Sequence, residues 1–132
     1  RSMEILQPKE WAKPRGYNSG VKAKGSFVAL AGQVGWNDNQ VFETDVVAEQ
    51  VSAAMKRIVR LVKEAGGGPE HVMRLNIYMT DREEYFSDMK SIGAAFRSSL
   101  GENFPPVTAV EVKKLMVDEA KIEIEAIAVV PD

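Results

Sequence analysis

The segment from Lys121 to Val130 constrains the fold of this chain more than any other part. Its polarity alternates with the two-residue period of a β-strand. Neither face of that strand is wholly polar, since one would carry Ile122, Ile124, Ala126 and Ala128, and the other Glu123, Glu125, Ile127 and Val129. A strand that is partly apolar on both faces fits a sheet that is covered on both sides.

Two amphipathic helices are predicted earlier in the chain. The first runs from Thr44 to Ala65, with Thr44 as its N-cap and Gly66 as the left-handed residue that ends it. The second opens with a capping box at residues 80–83 and ends at Gly101. Each helix has one apolar face, built from Val47, Val51, Ala54, Ile58, Leu61, Val62 and Ala65 in the first and from Tyr85, Met89, Ile92, Phe96 and Leu100 in the second.

Further strands flank these helices. The run from Met3 to Gln7 predicts a short strand, and Val21 to Val34 predicts a hairpin that turns near residues 24–26. The run from Val107 to Leu115 is rich in β-branched residues, and a turn near Asp118 joins it to the last strand.

The segment Val72 to Met79 predicts a strand with two chemically different faces. Its residues alternate strictly in side-chain direction if the segment is extended. One face carries Met73, Leu75, Ile77 and Met79, and the other carries Arg74, Asn76 and Tyr78.

The order of these elements indicates the fold class. Strands, helix, strand, helix and strands in one chain predict a single α/β (α+β) domain over residues 1–132, with a mixed sheet that carries both helices on one face. Two helices cover only one face of such a sheet, so a second copy of the chain is the simplest cover for the other face. The pattern predicts assembly without fixing the number of copies.

Composition excludes several classes of function. The 17 basic residues are scattered among 19 acidic ones and the net charge is −2, which argues against a nucleic-acid partner. The chain has no cysteine, and His71 is its only histidine, so no metal site is predicted within one chain. No segment is apolar and long enough for a signal peptide or a membrane span, which predicts a cytoplasmic protein without a membrane partner. Arg1 and Ser2 are interpreted as a cloning remnant before a natural start at Met3.

Several short motifs, in their order and spacing, resemble one known family across nearly the whole chain. They are Gly32-Gln33, Glu64-Ala65-Gly66, the segment Val72 to Asp81, Asn103-Phe104-Pro105, Val110-Glu111-Val112 and Lys121 to Ala128. The chain is similar in these motifs to the reactive intermediate deaminase (Rid, also called YjgF) family.

The resemblance implies a chorismate-mutase-like fold that assembles as a homotrimer, with the sheets forming a central barrel and the helices outside. It also implies clefts between subunits that hold a small-molecule substrate, and chemistry without a cofactor. Members with the complete site hydrolyse enamines or imines to keto acids and ammonia, and some relatives deaminate aminomuconate-like compounds.

Two catalytic residues are carried over from the resemblance. Glu123 corresponds to the glutamate that positions the hydrolytic water, and its carboxylate would accept a proton as the water attacks the iminium carbon. A glutamate that merely faces solvent on an alternating strand is the competing interpretation. Tyr17 corresponds to a tyrosine that lines the cleft, and a packed loop anchor is its alternative.

Four substrate-binding residues follow in the same way. Gly32 and Gln33 match a strand end where the backbone approaches the substrate, and a bend in the strand is the alternative for the glycine. Thr108 would help to place the substrate. Val107 occupies the position where the family usually has an arginine that binds the substrate carboxylate. No neighbouring basic residue obviously replaces it, and Arg15, Lys90 or Arg97, reaching the cleft from elsewhere in the chain or from another subunit, are the candidates for that role.

The leading hypothesis is therefore a hydrolytic deaminase that acts poorly on 2-aminoacrylate because Val107 replaces the arginine. A catalytically altered binding or regulatory trimer is the second hypothesis. An endoribonuclease or translation inhibitor, an activity attached to some relatives, is the least favoured, because the chain has no basic, aromatic-rich surface pattern.

Overall fold

A computed structural model describes residues 3–132, and the interpretation of Arg1 and Ser2 falls outside the described residues. The strands are β1 (Met3–Leu6), β2 (Gly20–Ala23), β3 (Ser26–Val34), β4 (Val72–Met79), β5 (Val107–Glu111) and β6 (Ile122–Val130). The helices are α1 (Val47–Glu64), α2 (Arg82–Phe86) and α3 (Met89–Leu100), with a short 3-10 turn at Pro69–His71.

The main sheet is mixed and has the strand order β3-β6-β4-β5. Strand β6 runs antiparallel to both of its neighbours, whereas β4 and β5 run parallel. The predicted α/β fold class is confirmed. Strands β5 and β6 are not neighbours, because β4 lies between them, so the turn near Asp118 belongs to a crossover rather than to a hairpin.

One face of this sheet packs against the helices and forms the core. Every second residue of β6 is buried, including Ile122 and Ile124 at 0% exposure. The predicted apolar face of α1 lies against them from Val47 to Val62, with Val51 and Ile58 at 0%. Met55, outside that predicted face, is buried as well, whereas Leu61 and Ala65 are exposed. Burying a side chain of this size contributes about 1.5–3 kcal/mol to folding, so this layer contact dominates the stability of the domain.

The predicted hairpin over residues 21–34 is wrong. Strand β2 pairs with β1 in a separate two-stranded sheet, in which Ile5 lies opposite Val21. Strand β3 pairs instead with β6. Gly25, at φ +151°, turns the chain so close to the end of β6 that a Cβ would lie 2.8 Å from the carbonyl carbon of Val130, and this approach directs β2 away from the main sheet.

The helix boundaries also differ from the prediction. Helix α1 begins at Val47, and the Thr44 hydroxyl accepts a hydrogen bond from the Val46 amide at 3.0 Å, one turn before the helix. The predicted second helix is divided into α2 and α3, because Asp81 and Asp88 each cap a separate helix through their carboxylates. Gly66 and Gly101 both have positive φ and follow the ends of their helices, as predicted.

The other face of the main sheet is uncovered in a single chain, and we call it the open sheet face. The alternation predicted for β6 holds along the whole strand, and that predicted for β4 holds from Arg74 to Met79. The prediction is wrong at Met73, because the pairing with β6 shifts register between Val72 and Arg74, and Val72 is buried in its place. The open sheet face carries Phe27 and Ala29 of β3, Arg74, Asn76 and Tyr78 of β4, Thr108 and Val110 of β5, and Glu123, Glu125, Ile127 and Val129 of β6. Within residues 3–132, no helix has the length and apolar character needed to cross a membrane.

Candidate functional site

Glu123 projects from β6 onto the open sheet face, beside a glycine of the neighbouring strand. A Cβ on Gly32 would lie 2.9 Å from the Glu123 carboxyl carbon and 3.0 Å from its Cγ. Real Cβ atoms do not approach other atoms so closely, so the carboxylate occupies space that only a glycine leaves free. No residue in the range 3–132 donates a hydrogen bond to the Glu123 carboxylate, which is therefore available to a water or a ligand.

The second carboxylate on the open sheet face is already engaged. Tyr78 lies opposite Glu123 in the register, and its hydroxyl donates a hydrogen bond of 2.8 Å to Glu125 Oε1. That hydrogen bond and partial burial raise the pKa of Tyr78 above its ordinary value, while the charge of Glu123 adds to the rise and that of Arg74 opposes it. Tyr78 thus stays a neutral donor near pH 7, and of the two glutamates Glu123 is the one left free.

Arg74 lies further along the open sheet face and is exposed there. Arg74 Nε–H donates to Asn76 Oδ1 at 3.1 Å, and its Nη2 lies 3.4 Å from Thr108 Oγ1. The side chain is exposed, and it is the only basic side chain that the described strands β3 to β6 present on this face. The interpretation of the sequence missed Arg74 as a site residue, although the alternation of β4 had placed it on the polar face.

The structure places Val107 and Thr108 on opposite sides of the sheet. Val107 pairs with Leu75 and packs against the core, whereas Thr108 pairs with Asn76 and faces the open side. Successive residues of a strand point in opposite directions, so the position that the resemblance assigns to an arginine is turned toward the helix layer in this chain.

Gln33 is turned away from Glu123. Its amide oxygen accepts a hydrogen bond of 2.9 Å from Arg57 Nε–H of α1, and its amide nitrogen donates to Ala31 O at 3.2 Å. Gln33 lines a groove of about 1160 Å³ between α1 and the loop that follows β3, where Trp36 also lies. The remaining predicted site residues do not line this groove.

Tyr17 lies in the segment between β1 and β2 and is exposed. Its neighbour Asn18 anchors that segment, because the Asn18 amide donates a hydrogen bond of 2.7 Å to Phe104 O. Tyr17 is thereby held near the approach to β5. Within the described part of the chain, no hydrogen bond joins Tyr17 to Glu123.

The predicted substitutes for the missing arginine lie elsewhere. Lys90 and Arg97 belong to α3, which packs with α1 on the helix side of the sheet. Arg15 is exposed in the segment before Tyr17. The structure therefore brings Glu123, Gly32 and Thr108 to the open sheet face, together with Arg74, Asn76 and Tyr78.

Comparisons with known proteins agree with this architecture. The family model described as Endoribonuclease L-PSP matches residues 9–130. A RutC family protein of Pyrococcus abyssi is 29% identical over 128 residues, covering 95% of each chain. The mitochondrial protein mmf2 of Schizosaccharomyces pombe is 27% identical over 114 residues, covering 85% of this chain and 86% of that protein.

Solved structures show the same fold. The Rid family protein YyfB of Yersinia pestis superposes with a TM-score of 0.87 at 23% identity, covering 98% of this chain and 100% of that one. RidA of the Antarctic bacterium Psychrobacter sp. superposes with a TM-score of 0.68 at 27% identity, covering 96% and 98%. The family model spans nearly the whole domain, so this chain belongs to the endoribonuclease L-PSP family, which includes the RutC, YjgF and Rid proteins.

Proposed function

We propose that this protein is a hydrolytic deaminase of small imine or enamine metabolites and releases ammonia. The observation that carries the proposal is the free carboxylate of Glu123, which lies beside Gly32 on an uncovered sheet face. Membership of a family that includes proteins named RidA supports the same chemistry.

The reaction needs a base that holds one water molecule. An enamine first takes a proton on carbon and becomes an iminium ion. Water then attacks the iminium carbon while Glu123 accepts one of its protons, and a carbinolamine forms. Return of that proton to nitrogen makes ammonia the leaving group. As the carbon–nitrogen bond breaks, the hydroxyl proton passes to the Glu123 carboxylate and a ketone remains. That proton balances the one first added to the enamine carbon, so enamine and water give ketone and ammonia without an oxidant or a cofactor.

The proposal includes a homotrimer with the substrate in a cleft between subunits. In a single chain the open sheet face is unprotected, with Phe27 at 68% and Val110 at 43% exposure. Large exposed apolar side chains on one face mark a surface that is covered in the assembly. A neighbouring copy would also exclude bulk water from Glu123, which strengthens the electrostatic interactions there.

The test is ammonia release from imines produced in place by an amino-acid oxidase, and from 2-aminoacrylate produced by a pyridoxal-phosphate lyase. We expect the wild type to accelerate release and Glu123→Gln to lose about 100-fold or more of that acceleration, since the amide cannot accept the proton. Glu64→Gln is the matched control, because Glu64 is exposed on α1 and, among residues 3–132, forms a salt bridge with Arg60 alone. Equal rates for wild type and Glu123→Gln on every substrate would reject the deaminase.

A binding or regulatory trimer is the second candidate, and the position of Val107 favours it. Its side chain packs against the core, where no arginine from position 107 holds a carboxylate on the open sheet face. The wild type separates the two candidates in the same assay. If it accelerates ammonia release, the regulatory interpretation fails. If it is inert on every substrate but binds product-like 2-oxo acids in calorimetry, the binding trimer is the function.

A further inference from the structure

We infer that Arg74 binds a carboxylate of the substrate, and that this carboxylate lies several bonds away from the carbon that water attacks. The inference rests on the proposed function and names the class of substrate: imines or enamines that carry a distal carboxylate. Nothing in the motifs of the chain assigns a role to Arg74; the assignment comes from its neighbours on the open sheet face.

The guanidinium group of Arg74 is oriented in a way that suits the binding of an anion. Its Nε–H is held by Asn76 Oδ1 and its Nη2 points to Thr108 Oγ1, so the planar group is oriented by two neutral oxygens. No carboxylate within the described residues 3–132 forms a salt bridge with it. An oriented guanidinium with unused N–H groups and no internal counter-ion is suited to bind a carboxylate through charge-assisted hydrogen bonds.

The charges on this face are divided between two ends. Glu123, opposite Tyr78, lies at one end, where a cationic iminium nitrogen would be stabilised, and Arg74, opposite Ile127, lies at the other. Glu125 lies between them, opposite Asn76, and accepts the hydrogen bond of the Tyr78 hydroxyl. Tyr78 responds to the charges at both ends, since Glu123 raises its pKa and Arg74 lowers it, in addition to the larger effect of its hydrogen bond to Glu125. A substrate with a positive and a negative end matches this arrangement.

The register sets the distance between the two ends. Asn76 lies two residues before Tyr78 on β4, and Thr108 lies on β5, two strands away from Glu123 on β6. Two residues of a strand span about 7 Å and neighbouring strands lie about 4.8 Å apart. The Glu123 carboxylate leans further toward Gly32 on β3. The guanidinium and the carboxylate are therefore separated by roughly 10 Å or more, by the same spacings.

An α-carboxylate could not reach the Arg74 guanidinium while water attacks its neighbouring carbon beside Glu123. Its oxygens lie only about 2.4 Å from the reacting carbon, and a water must stand between that carbon and Glu123 at ordinary angles. A carboxylate attached through three or four further carbon atoms spans the gap. This geometry also explains why Val107 is tolerated, because the anchoring charge comes from the neighbouring strand.

The decisive measurement is the affinity for product-like 2-oxo acids, determined by calorimetry on the assembled protein. 2-Oxoadipate carries a distal carboxylate, and 2-oxohexanoate has the same carbon chain without it. We expect wild type to bind 2-oxoadipate at least about tenfold more tightly than 2-oxohexanoate, and Arg74→Gln to bind the two alike, since a lost charge-assisted pair accounts for such a factor. Arg97→Gln, an exposed arginine on α3, is the matched control and keeps the preference.

The outcomes separate this inference from the proposed function. Equal affinities in wild type, absence of 2-oxoadipate binding at millimolar concentration, or a preference that survives Arg74→Gln would each overturn the role of Arg74. Tight binding of inorganic phosphate that depends on Arg74 would overturn it in favour of a phosphate ligand. If the preference depends on Arg74 but Glu123→Gln leaves imine hydrolysis unchanged, the carboxylate site stands and the deaminase fails.

Discussion

At the scale of single residues, the site depends on which polar groups are already paired. Glu125 accepts a hydrogen bond from Tyr78, whereas Glu123 has a glycine beside it and no donor within residues 3–132. The tyrosine therefore distinguishes two glutamates that look equivalent in the sequence.

Gly32→Ala tests this arrangement directly. The added methyl group would lie about 3.0 Å from Glu123 Cγ, so the carboxylate must move. We expect ammonia release to fall by about tenfold or more, because a displacement of about 1 Å already misplaces a catalytic group, while the melting temperature changes little. Gly20→Ala is the matched control, since its methyl group would meet Leu6 at an ordinary 3.5 Å. Full activity of Gly32→Ala would argue against the role of Glu123.

At the scale of elements, the position of β6 is fixed by a buried polar side chain of α1. Gln50 has 0% exposure, and its amide nitrogen donates to Thr44 O and to Glu119 O, each at 3.1 Å. Its amide oxygen accepts from the Lys121 amide at 2.8 Å. These bonds join the start of α1 to the residues just before β6, two positions ahead of Glu123.

Gln50→Leu is expected to lower the free energy of unfolding by about 2–4 kcal/mol, because it leaves buried backbone groups without partners. Chemical denaturation measures the loss. Lys56→Ala, an exposed change on the same helix, is expected to stay within about 0.5 kcal/mol of wild type. A loss below about 1 kcal/mol for Gln50→Leu would mean that water or movement of the loop satisfies those groups.

At the scale of the whole molecule, one face of the main sheet is covered by helices and the other is uncovered in a single chain. The helices bury the core side of the sheet, and the open sheet face leaves Phe27, Val110 and parts of Ile127 and Val129 accessible. Apolar patches of this kind on a small domain are usually covered by another chain. The proposed site lies on that same face, so assembly and activity should be lost together.

Light scattering tests this coupling. We expect wild type to have three times the mass of one chain, and Phe27→Glu to shift the protein toward smaller species, because it places a charge on the open sheet face. Ammonia release should fall in parallel. Val41→Glu, at a residue exposed to 54% in the loop after β3, is the matched control. A monomeric wild type with full deaminase activity would contradict the proposed trimeric site.

Local patterns account for much of this fold. The two-residue alternation predicted the faces of β6 and of β4 from Arg74 to Met79, because side-chain direction along a regular strand depends only on neighbouring residues. It was wrong at Met73, where the pairing with β6 shifts register. The apolar spacing of α1 likewise predicted most of its buried side, although Leu61 is exposed and Met55 was missed. The hairpin over residues 21–34 was wrong, since strand pairing depends on distant partners and Gly25 meets Val130 rather than a turn partner.

The site shows the same division. The sequence by itself determined that Glu123 lies on a face opposite the core and that Arg74, Asn76 and Tyr78 share a face of their strand. Only the tertiary structure decided that β4 lies between β5 and β6. That order sets Arg74 beside Thr108 and joins Tyr78 to Glu125, while the packing of the helices makes the Val107 side of the sheet the core. Side-chain direction is a local property of the backbone, whereas the choice of neighbouring strand is made by the packing of the whole domain.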